Sequence, residues 1–311
     1  MATVFIDGSA GTTGLRIRER LAARQDLTLL TLPEAQRKDP AARREALNAA
    51  DVAFLCLPDE AAREAVAMIE NDRTAVIDTS TAHRTAHGWV YGFPEIGGRR
   101  AQIPSAKRIA NPGCHASGFI ALVAPLVERG LLSPATKLSC FSLTGYSGGG
   151  KQMIAAYEAP DRDPLLEAPR MYGLPQAHKH LPEMAAVCGL QADPIFCPVV
   201  APYYAGMQVT VPLFGSDLRG SAADVCEVYR SYYETGLVRF VAQADAGGFL
   251  SAGAYADRDD MLVTVAGNDE RLLLIAQFDN LGKGASGAAV QNLNLLLGAA
   301  ETEGLQIGGA I

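Results

Sequence analysis

The first 110 residues alternate short apolar runs with segments of helical period, and this alternation restricts the fold more than any other feature. TVFIDG (3–8), LTLLTL (27–32), DVAFLCLP (51–58) and TAVIDTS (74–80) read as strands, and RIANPGC (108–114) as a further strand ending in a tight Asn-Pro-Gly turn. LRIRERLAAR (15–24), a mixed-charge segment after residue 32, and AAREAVAMIEN (61–71) read as the helices between them. Such alternation implies βαβ units and a parallel sheet covered on both faces. HASGFIALVAPLVERGLL (115–132) then reads as a helix stopping at Gly130. Beyond it the pattern changes. KLSCFSLTG (137–145), PIFCPVVAPYYAGMQVTVPL (194–213), MLVTVAGN (261–268) and LLLIAQFD (272–279) are strand-like, with longer irregular stretches between them. A mixed or antiparallel sheet in an α+β domain is expected there. GASGAAVQNLNLLLGAA (284–300) is a helix with a wide apolar face, placed to return and pack on the first domain.

The chain has 311 residues, enough for about two domains. Hydrophobic residues at 49% and charged residues at 20% exclude disorder, collagen and coiled coil as descriptions of the whole. A net charge of −7 argues against nucleic acid or an anionic membrane as partner, yet leaves room for a local basic pocket. No window approaches the roughly 18 apolar residues of a membrane span. The start, MATVFIDGSAG, lacks a basic, apolar leader, so the expected location is cytoplasmic. Six scattered cysteines without a CxxC pair build neither a disulfide framework nor a zinc site, and no metal is expected. Cys56, Cys140, Cys188, Cys197 and Cys226 read as small buried hydrophobes. Cys114 does not.

Gly8, Gly11 and Gly14 form G-x-x-G-x-x-G between the first strand and the first helix. Chemically, such a loop lets backbone N–H groups approach a pyrophosphate at the positive end of a helix. A glycine-containing βα turn without a ligand would look the same. Ser9, Thr12 and Thr13 add hydroxyls. Glu34 is spaced to bind a ribose 2′-hydroxyl, whereas Arg37 and Lys38 can pair with a 2′-phosphate, so the residues alone leave NAD and NADP open.

Asn111-Pro112-Gly113-Cys114 places Cys114 at a helix N-terminus, where the dipole and free N–H groups stabilise a thiolate and an oxyanion. That is the setting of a nucleophile. Of five histidines, His178 and His180 in HKHLPE point to one face if the segment is extended, and are the candidate proton carriers. His115 adjoins the cysteine but is expected to point elsewhere on the helix. Glu183 is placed to orient a histidine or bind substrate. Asp78–Arg84, including Ser80, follows a strand at the carboxyl edge of the sheet, where ligands of open α/β folds bind. Ser147, Gly148 and Lys151 lie in a glycine-rich loop able to hold an anion. Asn280 and Gly284 lead the last helix, where small residues permit close approach of a cofactor.

GSAGTTG (8–14), YGFPE (91–95), NPGCHAS (111–117), SGGGK (147–151), HKHLPEM (178–184) and DNLGKGASGAAVQN (279–292) together resemble the N-acetyl-gamma-glutamyl-phosphate reductases of the shorter bacterial type, among the aspartate-semialdehyde dehydrogenase-like enzymes. The resemblance runs over essentially the whole length. It implies an α/β protein: a Rossmann-type dinucleotide-binding domain of residues 1–113 with 285–311, and an α+β catalytic and dimerisation domain of residues 114–284 with a mixed sheet. It also implies NADP-dependent reduction of an acyl phosphate to a semialdehyde in arginine biosynthesis, by a homo-oligomer (dimer or tetramer), with the active site in the cleft between the domains. Cys114 matches the family nucleophile, and His178 and His180 its histidine motif, with the proton-transfer role open between them. Cofactor contacts are expected from Gly8, Ser9, Gly11, Thr12, Thr13, Gly14, Arg37, Lys38, Ser80, Asn280 and Gly284. Substrate contacts are expected from Asn111, Ser147, Gly148, Lys151 and Glu183. YGFPE and SGGGK are variant spellings relative to the longer relatives.

Three rivals remain at this point. One is a related phosphorylating semialdehyde dehydrogenase, acting on aspartate semialdehyde or on a lysine-pathway analogue one methylene longer, since one methylene is discriminated by only about 1–3 kcal/mol. The others are a cysteine hydrolase and a dinucleotide-binding sensor without catalysis.

Overall fold

A computed structural model describes residues 1–308. The chain divides into two compact units. The first comprises Met1–Pro94, Gly98–Pro112 and Ala285–Leu305; the second comprises Glu95–Gly97, Gly113–Gly284 and the stretch from Gln306.

The first unit begins with β1 (Ala2–Asp7), α1 (Thr12–Leu21), β2 (Leu27–Leu30), α2 (Pro40–Ala49), β3 (Val52–Leu55), α3 (Asp59–Ala67) and β4 (Ala75–Asp78). It continues through the short β5 (Val90–Tyr91), α4 (Arg99–Gln102) and β6 (Arg108–Ala110). The six strands are all parallel, in the order β2-β1-β3-β4-β6-β5. The period of two sends alternate residues to opposite faces. Val4, Ile6, Phe54 and Ile77 meet Ile17 and Leu21 on one side. Phe5, Ala53, Leu55 and Val76 meet Leu47, Ala62 and Ala65 on the other. The mixed-charge segment after β2 becomes a short 3-10 turn, Glu34–Gln36, before α2, which Asp39 caps by accepting the Ala42 N–H.

The second unit opens with α5 (Cys114–Glu128), then β7 (Ser139–Gly145), α6 (Gly150–Glu158), β8 (Arg170–Met171) and α7 (Leu181–Cys188). There follow β9 (Ile195–Ala201), β10 (Met207–Phe214), α8 (Ala222–Tyr232), β11 (Val238–Phe240), β12 (Met261–Gly267) and β13 (Arg271–Phe278). Their seven-stranded sheet runs β11-β12-β13-β10-β7-β9-β8. It is mixed as expected: β7–β9 and β11–β12 pair parallel, the rest antiparallel. α5 is apolar almost all round and accordingly buried, packed on α7, β10 and β13.

The final helix, α9 (Gly287–Leu297), belongs to the first unit, where Ala289, Val290 and Leu293 join the core beside Ile17 and Leu21. Among the described residues no helix is long and apolar enough to cross a membrane, and no group of three or more metal-ligating side chains occurs.

Candidate active site

Cys114 is the first residue of α5, and Gly113, in extended conformation, is its N-cap. The preceding Asn-Pro-Gly is not the tight hydrogen-bonded turn expected. Pro112 has no N–H, the Asn111 N–H goes to Asp78 O (2.7 Å), and the Gly113 N–H goes to the buried Glu183 carboxylate (3.2 Å). Non-local partners therefore shape this connection. At a helix start the first N–H groups have no partner within the helix, so the position of the sulfur is electropositive. On another side stands Gly284: a Cβ there would lie 3.0 Å from Cys114 Cβ and 3.0 Å from Asp279 O. Its lack of a side chain thus serves close approach to Cys114 itself. Asn280 is likewise buried, with its amide donating to Ser147 Oγ (2.9 Å) and accepting from the Gly206 N–H (3.0 Å). Gly284 thus packs on Cys114, and Asn280 braces Ser147 and Gly206.

A cavity of about 320 Å³ opens at the cysteine, lined among others by Thr144, Gly148, Tyr172, His178, Lys179 and His180. The HKH segment is not extended. It forms the turn that opens α7, yet the turn brings the two rings together, 4.7 Å apart. His178 Nδ1 accepts the His180 main-chain N–H (3.2 Å), so its neutral form carries the proton on Nε2. His180 is buried, with Nε2 3.9 Å from Glu183 Oε1. Glu183 thus sits behind the histidine and beneath Gly113.

His115 corrects the sequence expectation. It does not point away but lines the same cavity, with its ring 5.7 Å from His178 and 5.6 Å from His180. Burial, with His178 nearby, pushes its pKa down to about 3, so it is neutral at physiological pH. Of the glycine-rich segment, Gly148 lines the cavity, whereas Ser147 is buried against Asn280. Tyr146–Gly149 forms a 3-10 turn and Lys151 lies exposed in the first turn of α6, outside the cavity lining. The cation on the cavity is instead Lys179. An extended reading places it opposite the two histidines; the turn does not.

In the first unit a cavity of about 520 Å³ lies over Gly8, Ser9 and Ala10, with Glu34, Arg37 and Lys38 on its rim. The three glycines differ in purpose. Gly8 has φ +85°, and a Cβ there would fall 2.2 Å from Cys56 O. A Cβ at Gly14 would fall 2.6 Å from Gly8 O, whereas Gly11, the N-cap of α1, has nothing nearer than 3.5 Å. The first two close the turn, and at the third a side chain would meet Gly8 O only at ordinary van der Waals distance. The first turn of α1 holds no acidic side chain, and Thr12 Oγ1 is buried without a partner among the described residues. A phosphate-bearing nucleotide fits such a loop, with the Thr12 hydroxyl, Ser9 and Thr13 at hand. Arg37 and Lys38, both exposed, suit a 2′-phosphate.

Ser80 and Asn111 are engaged internally. Ser80 Oγ donates to Asp78, which also binds His83 Nδ1 (2.6 Å). Asn111 Nδ2 donates to Ala285 O (3.0 Å), and its Oδ1 accepts from Asn292 (3.2 Å).

Comparison with known proteins agrees with this chemistry. The profile of the semialdehyde dehydrogenase NAD binding domain matches residues 3–105, and that of the semialdehyde dehydrogenase dimerisation domain matches residues 114–280. N-acetyl-gamma-glutamyl-phosphate reductase 2 of Pseudomonas putida is 47% identical, covering 97% of this chain and 98% of its own. The Burkholderia lata N-acetyl-gamma-glutamyl-phosphate reductase is 48% identical over 96% and 97%. Among solved structures, aspartate semialdehyde dehydrogenase II of Vibrio cholerae superimposes with a TM-score of 0.71 at 17% identity, over 96% of this chain and 98% of its own. That of Candida albicans, solved with NADP, gives 0.64 at 15%, over 94% and 98%. The chain belongs to the semialdehyde dehydrogenase family and, within it, to the N-acetyl-gamma-glutamyl-phosphate reductases.

Proposed function

We propose that this protein reduces N-acetyl-L-glutamyl 5-phosphate to N-acetyl-L-glutamate 5-semialdehyde and phosphate, using NADPH, as a cytoplasmic step of arginine biosynthesis. The observation that carries this reading is Cys114 at the start of α5, on a cavity shared with His178 and His180. The thiolate attacks the acyl carbon, and phosphate departs with the electron pair of the broken C–O bond, leaving a thioester on Cys114. The loop of Gly8, Ser9 and Gly11 at the start of α1 would hold NADPH, which when bound would supply the hydride that reduces this thioester. Collapse of the resulting thiohemiacetal reforms the carbonyl and expels the sulfur. One of His178 and His180 takes the thiol proton at the outset and returns it to sulfur at the end, while the proton consumed overall leaves on the phosphate. The Cys114 N–H, at the positive end of α5, is the donor for the developing oxyanion. Lys179 is better placed than Lys151 to hold the phosphate, and Glu183 orients His180.

A homo-oligomer, dimer or tetramer, suits the second unit. Its sheet exposes Phe141, Met171, Ile195, Phe214 and Leu273, a set of apolar side chains costly to leave in water.

The names of the relatives favour the glutamyl substrate over the other semialdehydes. The test is phosphate-dependent NADP reduction with N-acetylglutamate semialdehyde, its homologue one methylene longer, and aspartate semialdehyde. The first is expected to give the highest kcat/KM. A higher value for either of the others overturns the substrate assignment, and thiol-dependent hydrolysis without nicotinamide overturns the reductase.

A further inference from the structure

His115 is 3% exposed and has its two ring nitrogens on two hydroxyls. Nδ1 lies 2.6 Å from Ser142 Oγ on β7, and Nε2 lies 2.6 Å from the Tyr172 hydroxyl just after β8. His178 and His180, from the turn before α7, and Phe196, from β9, close around the ring. Tyr172 lines the cavity of Cys114.

We propose that His115 is a positioning residue of the reaction, braced on Ser142 and holding the Tyr172 hydroxyl in the Cys114 cavity. This rests on the reductase reading above. A neutral imidazole has one donor and one acceptor, and each hydroxyl is both. The chain therefore runs in either of two directions. If Ser142 donates to Nδ1 and Nε2–H donates to Tyr172, the phenolic hydrogen is free to point at a bound group. If Tyr172 donates to Nε2, and Nδ1–H to Ser142, its lone pairs face the cavity instead. The two states differ by one tautomer and by no charge. Burial keeps them so: His115 is held neutral, and the Tyr172 phenol is pushed up and stays protonated. Of the three imidazoles here, His115 therefore adds no positive charge beside His178 and His180. A buried hydrogen-bond chain of this kind holds geometry only while each link is satisfied.

The test is a double-mutant cycle of His115→Phe and Tyr172→Phe in the full-length protein, with Ser142→Ala and His115→Gln alongside. Each Phe variant is expected to lower kcat/KM for the acyl phosphate by about 10- to 100-fold with the NADPH Kd unchanged. The double variant is expected to be no worse than the poorer single, because the two act as one unit. His115→Gln, which keeps a donor and an acceptor, is expected to recover part of the loss. Additive effects, or unchanged kinetics in Tyr172→Phe, overturn the proposal. Imidazole nitrogen NMR of the wild-type protein is independent of activity and of how the variants fold. The His115 signals are expected to stay neutral from pH 8 to about pH 5, and titration near pH 6 overturns the proposal. A wild-type protein without reductase activity overturns the reductase reading instead.

Discussion

Lys283 Nζ lies 2.9 Å from both carboxylate oxygens of Glu95, and each side chain is 1% exposed. Glu95 Oε1 also accepts the Leu237 N–H (3.0 Å). Lys283 sits in a π-helical turn, Gly282–Ser286, one residue before the glycine that packs on Cys114. Removing one member of a buried pair strands the other charge at a cost of about 3–5 kcal/mol, whereas replacing both with apolar groups costs far less. Lys283→Met is therefore expected to lower the urea midpoint sharply, and adding Glu95→Met to restore much of it. A Lys283→Met midpoint equal to wild type would contradict a desolvated pair.

Cys114→Ser keeps the helix start but replaces the proposed nucleophile. Turnover is expected to fall by more than about 10³-fold, because the remaining groups do not form a thioester. NADPH binding, followed by nicotinamide fluorescence, is expected to persist. In the wild-type protein, iodoacetamide is expected to label Cys114 ahead of the buried Cys140 and Cys188.

The glycine loop separates folding from binding. Gly8→Ala introduces a Cβ at positive φ and 2.2 Å from Cys56 O, so it is expected to destabilise the first unit. A Cβ at Gly11 would make only an ordinary van der Waals contact, 3.5 Å from Gly8 O, so Gly11→Val is expected to fold while obstructing the helix start. Thermal melts distinguish the two, and titration with NADPH should show about tenfold or greater weakening for Gly11→Val.

Cofactor preference is expected to lie with Arg37 and Lys38. Loss of a charge-assisted contact to a 2′-phosphate costs about 1.5–3 kcal/mol. The Arg37→Ala/Lys38→Ala variant is thus expected to raise the KM for NADPH at least about tenfold and leave that for NADH nearly unchanged. Equal effects on both cofactors would place the 2′-phosphate elsewhere.

Acid should weaken the fold through His115. Its folded-state pKa of about 3 lies below the ordinary value near 6.5. Between those values the unfolded chain binds a proton that the folded chain does not. The contribution of His115 is therefore complete above about pH 6.5 and declines as pH falls toward 3, by about 1.4 kcal/mol per pH unit. His115→Gln is expected to flatten this slope in urea unfolding at pH 5 and pH 7.5.

The parallel sheet, the glycine loop and the Cys114 helix start were readable because each is local. A period of two or of 3.6 and a glycine spacing carry their meaning within about a dozen residues. The histidine pair was readable as residues but not as geometry, since the turn before α7 replaces the extended segment that alternation suggested. Lys179 and Tyr172 carried no local signal. One lay on the wrong face of a supposed strand, and the other in an irregular stretch.

From its sequence alone, then, this protein has its two classes of sheet, its glycine loop and a cysteine at a helix start, because strand alternation, glycine conformation and a helix start act at short range. Tertiary structure decided which groups surround the sulfur. Tyr172 beyond β8, the histidines before α7 and Gly284 beyond β13 meet there from separate parts of the chain, and Ser142 from β7 braces His115 behind them. Helical period correctly sets His115 apart from Cys114 on α5, but the cavity wraps around the end of that helix and takes in both. Contacts between residues so distant in sequence leave no periodicity to read, and only packing of the second unit brings them to one place.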